Sequence, residues 1–243
     1  MNSASRLLAI YDSLVSDNNE QPMVRVWTRV FGLEHDKRTI KDELTTCLVG
    51  LRNEIEFVRI QLLQREVPLQ LTNPGFDRLK EVAAPARLHT AWSSMRGNVQ
   101  APECRQAFVW AEWVLRDDAE SDLPDEEMHT LEAELEGLEA GLQEVEMSPY
   151  LRDFVQRQVD TIRAALRLYR VQGARLLQEA LTKIAGSYTV ENSAWMRSTQ
   201  PQRLKLKVSW PRLLVSSKRL PKSVITWIRL KNLAKEHLAW QRR

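Results

Sequence analysis

Apolar residues recur at steps of three and four along most of the first 186 positions, the spacing of one face of an α-helix. The clearest run lies between residues 122 and 147, and its apolar positions are Met128, Leu131, Leu135, Leu138, Leu142 and Val145. Ser148 and Pro149 then form a cap followed by a first-turn proline. The apolar face of the next run is Leu151, Phe154, Val155, Val159, Ile162, Leu166 and Tyr169. Because the connection is short, we expect two antiparallel helices packed as a hairpin.

The two arms of this predicted hairpin carry opposite charge. Residues 122–147 are rich in Glu and contain no Lys or Arg, whereas the second arm carries Arg152, Arg157, Arg163, Arg167 and Arg170. Burial of each apolar side chain contributes about 1.5–3 kcal/mol, and an exposed ion pair adds only about 0.2–1 kcal/mol. We therefore expect the apolar seam to supply stability and the charges to fix partner and register.

Further helices are predicted at residues 5–15, 22–31, 36–65 and 102–115. The helix at 36–65 repeats the heptad-like spacing, so it is expected to pack with the 122–147 helix in one bundle core. Trp92, Trp110 and Trp113 are expected in the core or in a helix seam. Glycine is scarce, at 8 of 243 residues, which also favours helix. The predicted fold is mainly α, a multi-helix bundle over residues 1–187.

Residues 188–243 differ in character and are predicted to be a separate basic extension. Residues 203–210 alternate apolar and polar positions, as a short strand would, and residues from 224 onward fit a terminal amphipathic helix. From Arg197 to Arg243 there are thirteen Lys or Arg and one acid, Glu236. This segment carries about +12 and the whole chain +3, so residues 1–196 carry about −9. Such asymmetry indicates binding to an anionic surface.

The candidate binding residues of the extension are basic side chains interleaved with tryptophans. They are Lys205, Lys207, Trp210, Arg212, Lys218, Arg219, Lys222, Trp227, Arg229, Lys231, Lys235 and Trp240. Basic residues neutralise phosphates and aromatic rings stack on unpaired bases. The same composition suits an acidic protein groove or an anionic membrane surface, and it equally suits docking on the acidic bundle of this chain.

The composition otherwise describes an ordinary globular chain, 43% hydrophobic and 28% charged. Its two cysteines, Cys47 and Cys104, form no disulfide framework, which fits a reducing cytosol. The N-terminal apolar run is too short for a signal peptide, and no stretch reaches the length of a membrane span. We therefore expect a cytoplasmic protein.

Three stretches carry a resemblance to a known family: VWTRVFGL at residues 26–33, FVWAEWVL at 108–115, and the segment from Tyr150 to Leu181. They resemble a family of uncharacterised bacterial helical proteins over about residues 1–186. The resemblance implies an all-helical bacterial domain and no particular activity.

Sequence motifs for catalysis are nearly absent. Neither a phosphate-binding loop nor a nucleophile elbow is present, and the four histidines have no spacing for zinc, so no metal or cofactor is predicted. Arg29 and His35 are separated by five residues, which matches the Arg-x(4–6)-His pattern of HEPN-type ribonucleases. Members of that family are small helical bundles whose Arg and His act on the RNA phosphodiester.

The sequence thus favours a non-enzymatic interaction protein that binds an acidic partner through its basic extension. It would belong to a multi-protein system, such as one for defence against phage. The alternatives are a nucleic-acid-binding protein using the same extension and a ribonuclease using Arg29 and His35. The sequence does not specify an oligomeric state.

The break in composition near residue 188 predicts that the bundle folds without the extension. Residues 1–187 expressed alone should show high helix content and cooperative thermal unfolding in circular dichroism. A molten or insoluble product would mean that the extension completes the core.

Overall fold

A computed structural model of the 243-residue chain describes residues 1–16, 20–33, 39–118, 120, 123–144, 149–184 and 186. All regular elements in these residues are helical, which confirms the mainly-α fold. The helices are α1 (Ser3–Val15), α2 (Met23–Val30), α3 (Ile40–Gln64), α4 (Asn73–Val82), α5 (Trp92–Val99), α6 (Pro102–Val114), α7 (Asp125–Glu144), α8 (Pro149–Arg167), α9 (Tyr169–Gln172) and α10 (174–184). Short 3-10 turns occupy Leu69–Leu71 and Pro85–Arg87. The predicted strand and terminal helix of the extension lie outside the described residues.

The chain divides into two compact units. Unit 1 comprises Met1–Met128 and a second piece, Ala164–Leu176, which we name the return segment. Unit 2 comprises His129–Arg163 and Leu177–Arg243, of which the structure describes residues 129–144, 149–163, 177–184 and 186. Residues 129–163 are therefore inserted between the two parts of unit 1 along the chain. The boundary predicted at residue 187 stays a prediction.

The core of unit 1 is a continuous cluster of buried apolar side chains from α1 to α6 and the loops between them. Its aromatic centre joins three helices, since the ring centroid of Phe108 lies 5.0 Å from that of Tyr11 and 5.1 Å from that of Phe76. The Tyr11 hydroxyl donates a hydrogen bond to the Val99 carbonyl, 2.5 Å away. Tyr11 can be buried because its polar atom has a partner.

Helix starts in unit 1 are satisfied by specific partners. The Asn2 side chain accepts a hydrogen bond from the Ser5 amide and the Ser5 hydroxyl accepts one from the Asn2 amide, a capping box at α1. Asn2 Nδ2 also donates to the Leu115 carbonyl at 2.8 Å, which ties the start of α1 to the end of α6. These bonds provide partners for amides that the first helical turn leaves without any.

The starts of α2 and α5 satisfy each other through the backbone. The Met23 amide donates to the Thr90 carbonyl at 2.9 Å, and the Trp92 amide donates to the Gln21 carbonyl at 2.9 Å. No side chain caps either helix. Pairing of the two preceding loops therefore replaces conventional capping and fixes where both helices begin.

Close helix contact in unit 1 requires a glycine on α4. A Cβ at Gly75 would lie 2.7 Å from the Cys104 carbonyl oxygen and 2.8 Å from the Ala107 Cβ, both on α6. These distances are too short for any larger residue unless the two backbones separate. Gly75 thus allows α4 and α6 to approach closely and enclose Phe76 and Phe108.

The hairpin predicted for unit 2 is confirmed where its residues are described. Leu135 of α7 and Phe154, Val159 and Ile162 of α8 are buried, as the predicted seam requires. Both guanidinium nitrogens Nη1 and Nη2 of Arg163 bond the Glu139 carboxylate, at 2.6 and 2.5 Å. An acidic residue of the first arm therefore pairs with a basic residue of the second, as the charge pattern predicts.

One sequence prediction about packing stays a prediction and another is wrong. The common core of the heptad-like helices stays a prediction, since α3 belongs to unit 1 whereas α7 from His129 onward belongs to unit 2. Trp92 is buried, but Trp110 and Trp113 are exposed rather than in the core or a seam. The buried face of α6 consists of Phe108 and three small residues, and the two tryptophans lie outside that face. The small residues are Cys104, Ala107 and Ala111.

The buried seam of the hairpin should matter more to stability than its exposed acids. Leu135→Ala should lower the free energy of unfolding by about 2–5 kcal/mol, because it opens a cavity at a buried position. Glu132→Gln, an exposed change one turn away, should alter it by about 0.5 kcal/mol or less. Urea titration followed by circular dichroism measures both, and equal losses would place the buried face elsewhere.

Candidate interaction sites and a buried ionic cluster

The basic extension predicted to bind a partner lies outside the described residues. This applies to all its candidate binding residues: Lys205, Lys207, Trp210, Arg212, Lys218, Arg219, Lys222, Trp227, Arg229, Lys231, Lys235 and Trp240. Their role stays a prediction from composition and charge.

The ribonuclease pair is only half described. Arg29 is exposed in the last turn of α2, and His35 lies outside the described residues. Helix α2 ends at Val30, and Gly32 adopts a φ of +61°, in the left-handed region that favours glycine. Helix α2 therefore stops before position 35, so Arg29 and position 35 do not share it.

An aromatic patch on α6 was missed by the sequence prediction. Trp110 and Trp113 retain 44% and 58% of their exposure, and their rings meet edge to face with centroids 6.0 Å apart. The Arg116 guanidinium carbon lies 4.8 Å from the Trp113 ring centroid, within range of a cation–π interaction. The spacing of α6 contained the signal, because Cys104, Ala107, Phe108 and Ala111 already fill one face.

A buried ionic cluster lies inside unit 1. Glu54 of α3 has no solvent exposure, and its two carboxylate oxygens accept hydrogen bonds from different arginines. Arg6 of α1 donates to Oε1 at 3.0 Å, and Arg175 of the return segment donates to Oε2 at 2.9 Å. Arg6 also binds Glu120 with both terminal nitrogens, at 2.8 and 3.0 Å. We name these four residues the ionic cluster.

Burial and pairing act in opposite directions on the charges of the ionic cluster. Burial raises the pKa of the Glu54 carboxyl, and the guanidinium groups of Arg6 and Arg175 oppose that increase. Burial lowers the pKa of Arg6, but the hydrogen bonds and charges of Glu120 and Glu54 outweigh it and leave that pKa raised. Glu54 is thus a desolvated carboxylate that depends on two cations from distant parts of the chain.

Perturbed titratable groups often mark catalytic sites, but this arrangement favours a structural role. A catalytic carboxylate needs to reach a substrate proton, and Glu54 is fully buried with both oxygens occupied. Within the described residues, no group of His, Cys, Asp and Glu is arranged to hold a metal ion.

A groove of about 440 Å³ lies between the end of α1 and the start of α6. Tyr11, Asp12, Gln100 and Arg105 are among its lining residues. Arg105 donates to both carboxylate oxygens of Asp12, at 2.9 and 3.0 Å, so the two charges of the groove are paired with each other. The groove offers no charged group poised for chemistry.

No helix in the described residues is long and apolar enough to cross a membrane. Comparison of the chain with protein-family models, with curated proteins and with solved structures gave no match.

The ionic cluster carried a partial signal in the sequence. Glu54 follows Leu51 by three residues and precedes Val58 by four, so it lies on the apolar face of α3. A charge at such a position predicts a buried partner. Its partners could not be read, because Arg6 and Arg175 lie 48 and 121 residues away.

Removing the buried negative charge should strongly destabilise unit 1. Glu54→Gln preserves the shape of the side chain but leaves Arg6 and Arg175 facing a neutral amide, so we expect a loss of about 3–5 kcal/mol. The matched control is Glu56→Gln on the same helix, where a 39% exposed carboxylate pairs with Arg59 and Lys80. It should cost about 1 kcal/mol or less. Equal losses in urea unfolding would contradict a special role for Glu54.

Proposed function

We propose that the protein is a non-enzymatic interaction protein that binds an acidic partner through its basic C-terminal extension. The observation that carries this proposal is the thirteen Lys or Arg against one acid between Arg197 and Arg243. A segment of about +12 attracts an anionic surface and accelerates encounter with it. The opposite charge of residues 1–196, about −9, repels the same partner and directs it to the extension.

Tryptophans in the extension support a protein partner. Trp210, Trp227 and Trp240 are spread among the basic residues. Tryptophan and arginine dominate the binding energy of protein interfaces when they fill pockets on the partner. In this proposal the charges set the rate of association and the rings anchor the complex.

The proposed setting is a multi-protein system in the cytoplasm. Cys47 and Cys104 are both free and buried, as suits a reducing compartment. Burial raises the pKa of the Cys47 thiol to about 11, so this group is a packing residue and not a nucleophile.

Nucleic acid is the second candidate partner, and the same interleaving of rings and cations favours it. Lysine and arginine would contact phosphates, and Trp227 would stack on an unpaired base. The two candidates make different demands on the tryptophans, because a base offers a flat face and a protein offers a pocket.

The test compares the full chain with two charge variants. In the first, Lys205, Lys207, Lys218 and Arg219 are changed to Gln. The matched control changes four basic residues that the structure shows to be exposed, Arg25, Lys41, Arg87 and Arg157, to Gln. Both variants lose the same charge, so only the location differs. Each tagged protein is used to capture proteins from nuclease-treated lysate of the source cells, and captured proteins are purified and titrated at two salt concentrations.

A protein partner predicts capture that survives nuclease, is lost in the extension variant and persists in the control. Its affinity should fall with salt. Capture that is equal for the two variants would overturn the proposal.

Labelled single- and double-stranded oligonucleotides, titrated at the same two salt concentrations, test the second candidate. Binding should lose affinity with a slope of about −0.9 per phosphate contact on duplex DNA and about −0.7 on single strands. Trp227→Ala should weaken single-strand binding by about 1–3 kcal/mol and leave the slope nearly unchanged. Absence of binding at the lower salt concentration would exclude nucleic acid as the partner.

A further inference from the structure

The return segment adds little to the hydrophobic core of unit 1. Among the described residues, the main core cluster takes only Val171 from this segment, and every other member lies between Ala4 and Leu115. Burial of apolar surface dominates the stability of most packed elements. Four further apolar side chains of the segment, Ala165, Leu166, Tyr169 and Ala174, are buried but do not belong to this cluster. Val171 is therefore the one described residue of the segment within the main core cluster, and polar contacts supplement it.

Polar anchors hold the return segment at successive positions. Arg170 Nη1 donates to the carbonyls of Phe31 and Gly32, at 3.2 and 3.4 Å. Gln172 Nε2 donates to the buried carbonyl of Gly50, 3.0 Å away. Each bond joins a side chain of the segment to a backbone carbonyl of unit 1, so these contacts are directional.

Two further contacts join the return segment to the residues just before α7 and to the ionic cluster. The Leu123 amide donates to the Tyr169 hydroxyl at 2.5 Å, just before α7 begins. Arg175 donates to Glu54 of the ionic cluster at 2.9 Å, and its guanidinium carbon lies 4.0 Å from the Phe57 ring centroid. Within unit 1, the residues that precede and the residues that follow the insertion (residues 129–163) are thus in direct contact.

Glycines allow the return segment to pack closely against the rest of unit 1. A Cβ at Gly50 would lie 2.7 Å from Cδ2 of Leu168, and a Cβ at Gly32 would collide with the Arg170 guanidinium. Within the segment, Gly173 adopts a φ of +65°, and a Cβ there would collide with Arg6 and Glu120. The segment therefore packs directly against backbone at these points, which brings its polar side chains within hydrogen-bond distance of that backbone.

Detachment of the return segment would not leave the buried Glu54 carboxylate without a cation. Glu54 binds Arg175 through Oε2, whereas Oε1 is held by Arg6, which belongs to α1 and remains in place. An unpaired buried carboxylate would be very costly, but one that keeps a cation is far less so. Arg6 also keeps Glu120, so the open state retains two of the three ionic contacts in the cluster.

We propose that the return segment, which we also call the strap, can detach from α1 and α3 while α1 to α6 stay folded. The hydrogen bond between Arg175 and Glu54 controls this detachment. Among the described residues the strap shares only Val171 with the main core cluster, and elements outside such a cluster open locally at lower free energy than the core. The strap is the covalent route by which the chain re-enters unit 1 after residues 129–163.

Hydrogen exchange with mass spectrometry on the full chain tests the proposal directly. In the wild type, amides of the strap should exchange faster than those in α1 and α3. Arg175→Met removes the bond to Glu54 while an apolar side chain remains beside Phe57. It should raise exchange in the strap by about 10- to 100-fold, the effect of losing one hydrogen bond to a charged group. Exchange in α1 to α6 should stay unchanged.

The matched control is Arg105→Met, which removes another arginine–carboxylate pair of unit 1, the one with Asp12. Exchange in the strap should not change in this variant. Equal protection of the strap and of α1 and α3 in the wild type would overturn the proposal, because it would show that they open only together. A uniform rise in exchange across unit 1 in Arg175→Met would overturn it as well.

Discussion

A carboxylate with no access to water constrains the structure of unit 1. Burying an ion costs several kcal/mol unless its lone pairs are satisfied by opposite charge. Glu54 meets that demand with Arg6 from the first helix and Arg175 from the last part of the unit. The positions of α1, α3 and the return segment are therefore tied to one another through a single side chain. Glu120 completes the pairing of Arg6, and it lies on the stretch that leads out toward α7.

The same constraint explains why two positions in unit 1 are glycines. Bringing Arg6 and Arg175 to one carboxylate requires the return segment to lie close to backbone. Gly50 allows that approach on α3, and Gly173 bends the segment beside the Arg6 guanidinium. A side chain at either position would push the strap away from its polar anchors. The unit thus combines an apolar core, formed by α1 to α6, with a strap fixed by geometry and charge.

Local patterns in the sequence predicted α1, α2, α3, α6, α7 and α8, because the spacing of apolar residues over two or three turns is enough to define a buried face. Leu135 of α7 and three seam residues of α8 were assigned to the buried face in this way and are buried in the structure: Phe154, Val159 and Ile162. The same reasoning missed the exposure of Trp110 and Trp113, because residues beside an apolar helix face can lie either in a seam or in solvent. Similar heptads, such as those of α3 and α7, do not specify which helix packs with which. The pairing of Glu54 with Arg175 spans 121 residues and leaves no local trace. The candidate binding site was inferred from charge and composition, which indicate the sign of a partner but not its shape.

Charge serves two distinct purposes in this chain. Inside unit 1, two arginines and two glutamates balance one another at 2.8–3.0 Å in a desolvated setting, where dissolved salt has little effect. Between Arg197 and Arg243, by contrast, thirteen cations accompany a single acid. That excess must be matched by counter-charge on a partner, on the chain itself or in solution, and exchange among these depends on ionic strength. Moderate salt should therefore weaken the attraction of the extension while it leaves the ionic cluster intact. In the proposed function, binding through the extension would then change with ionic strength while unit 1 stays folded.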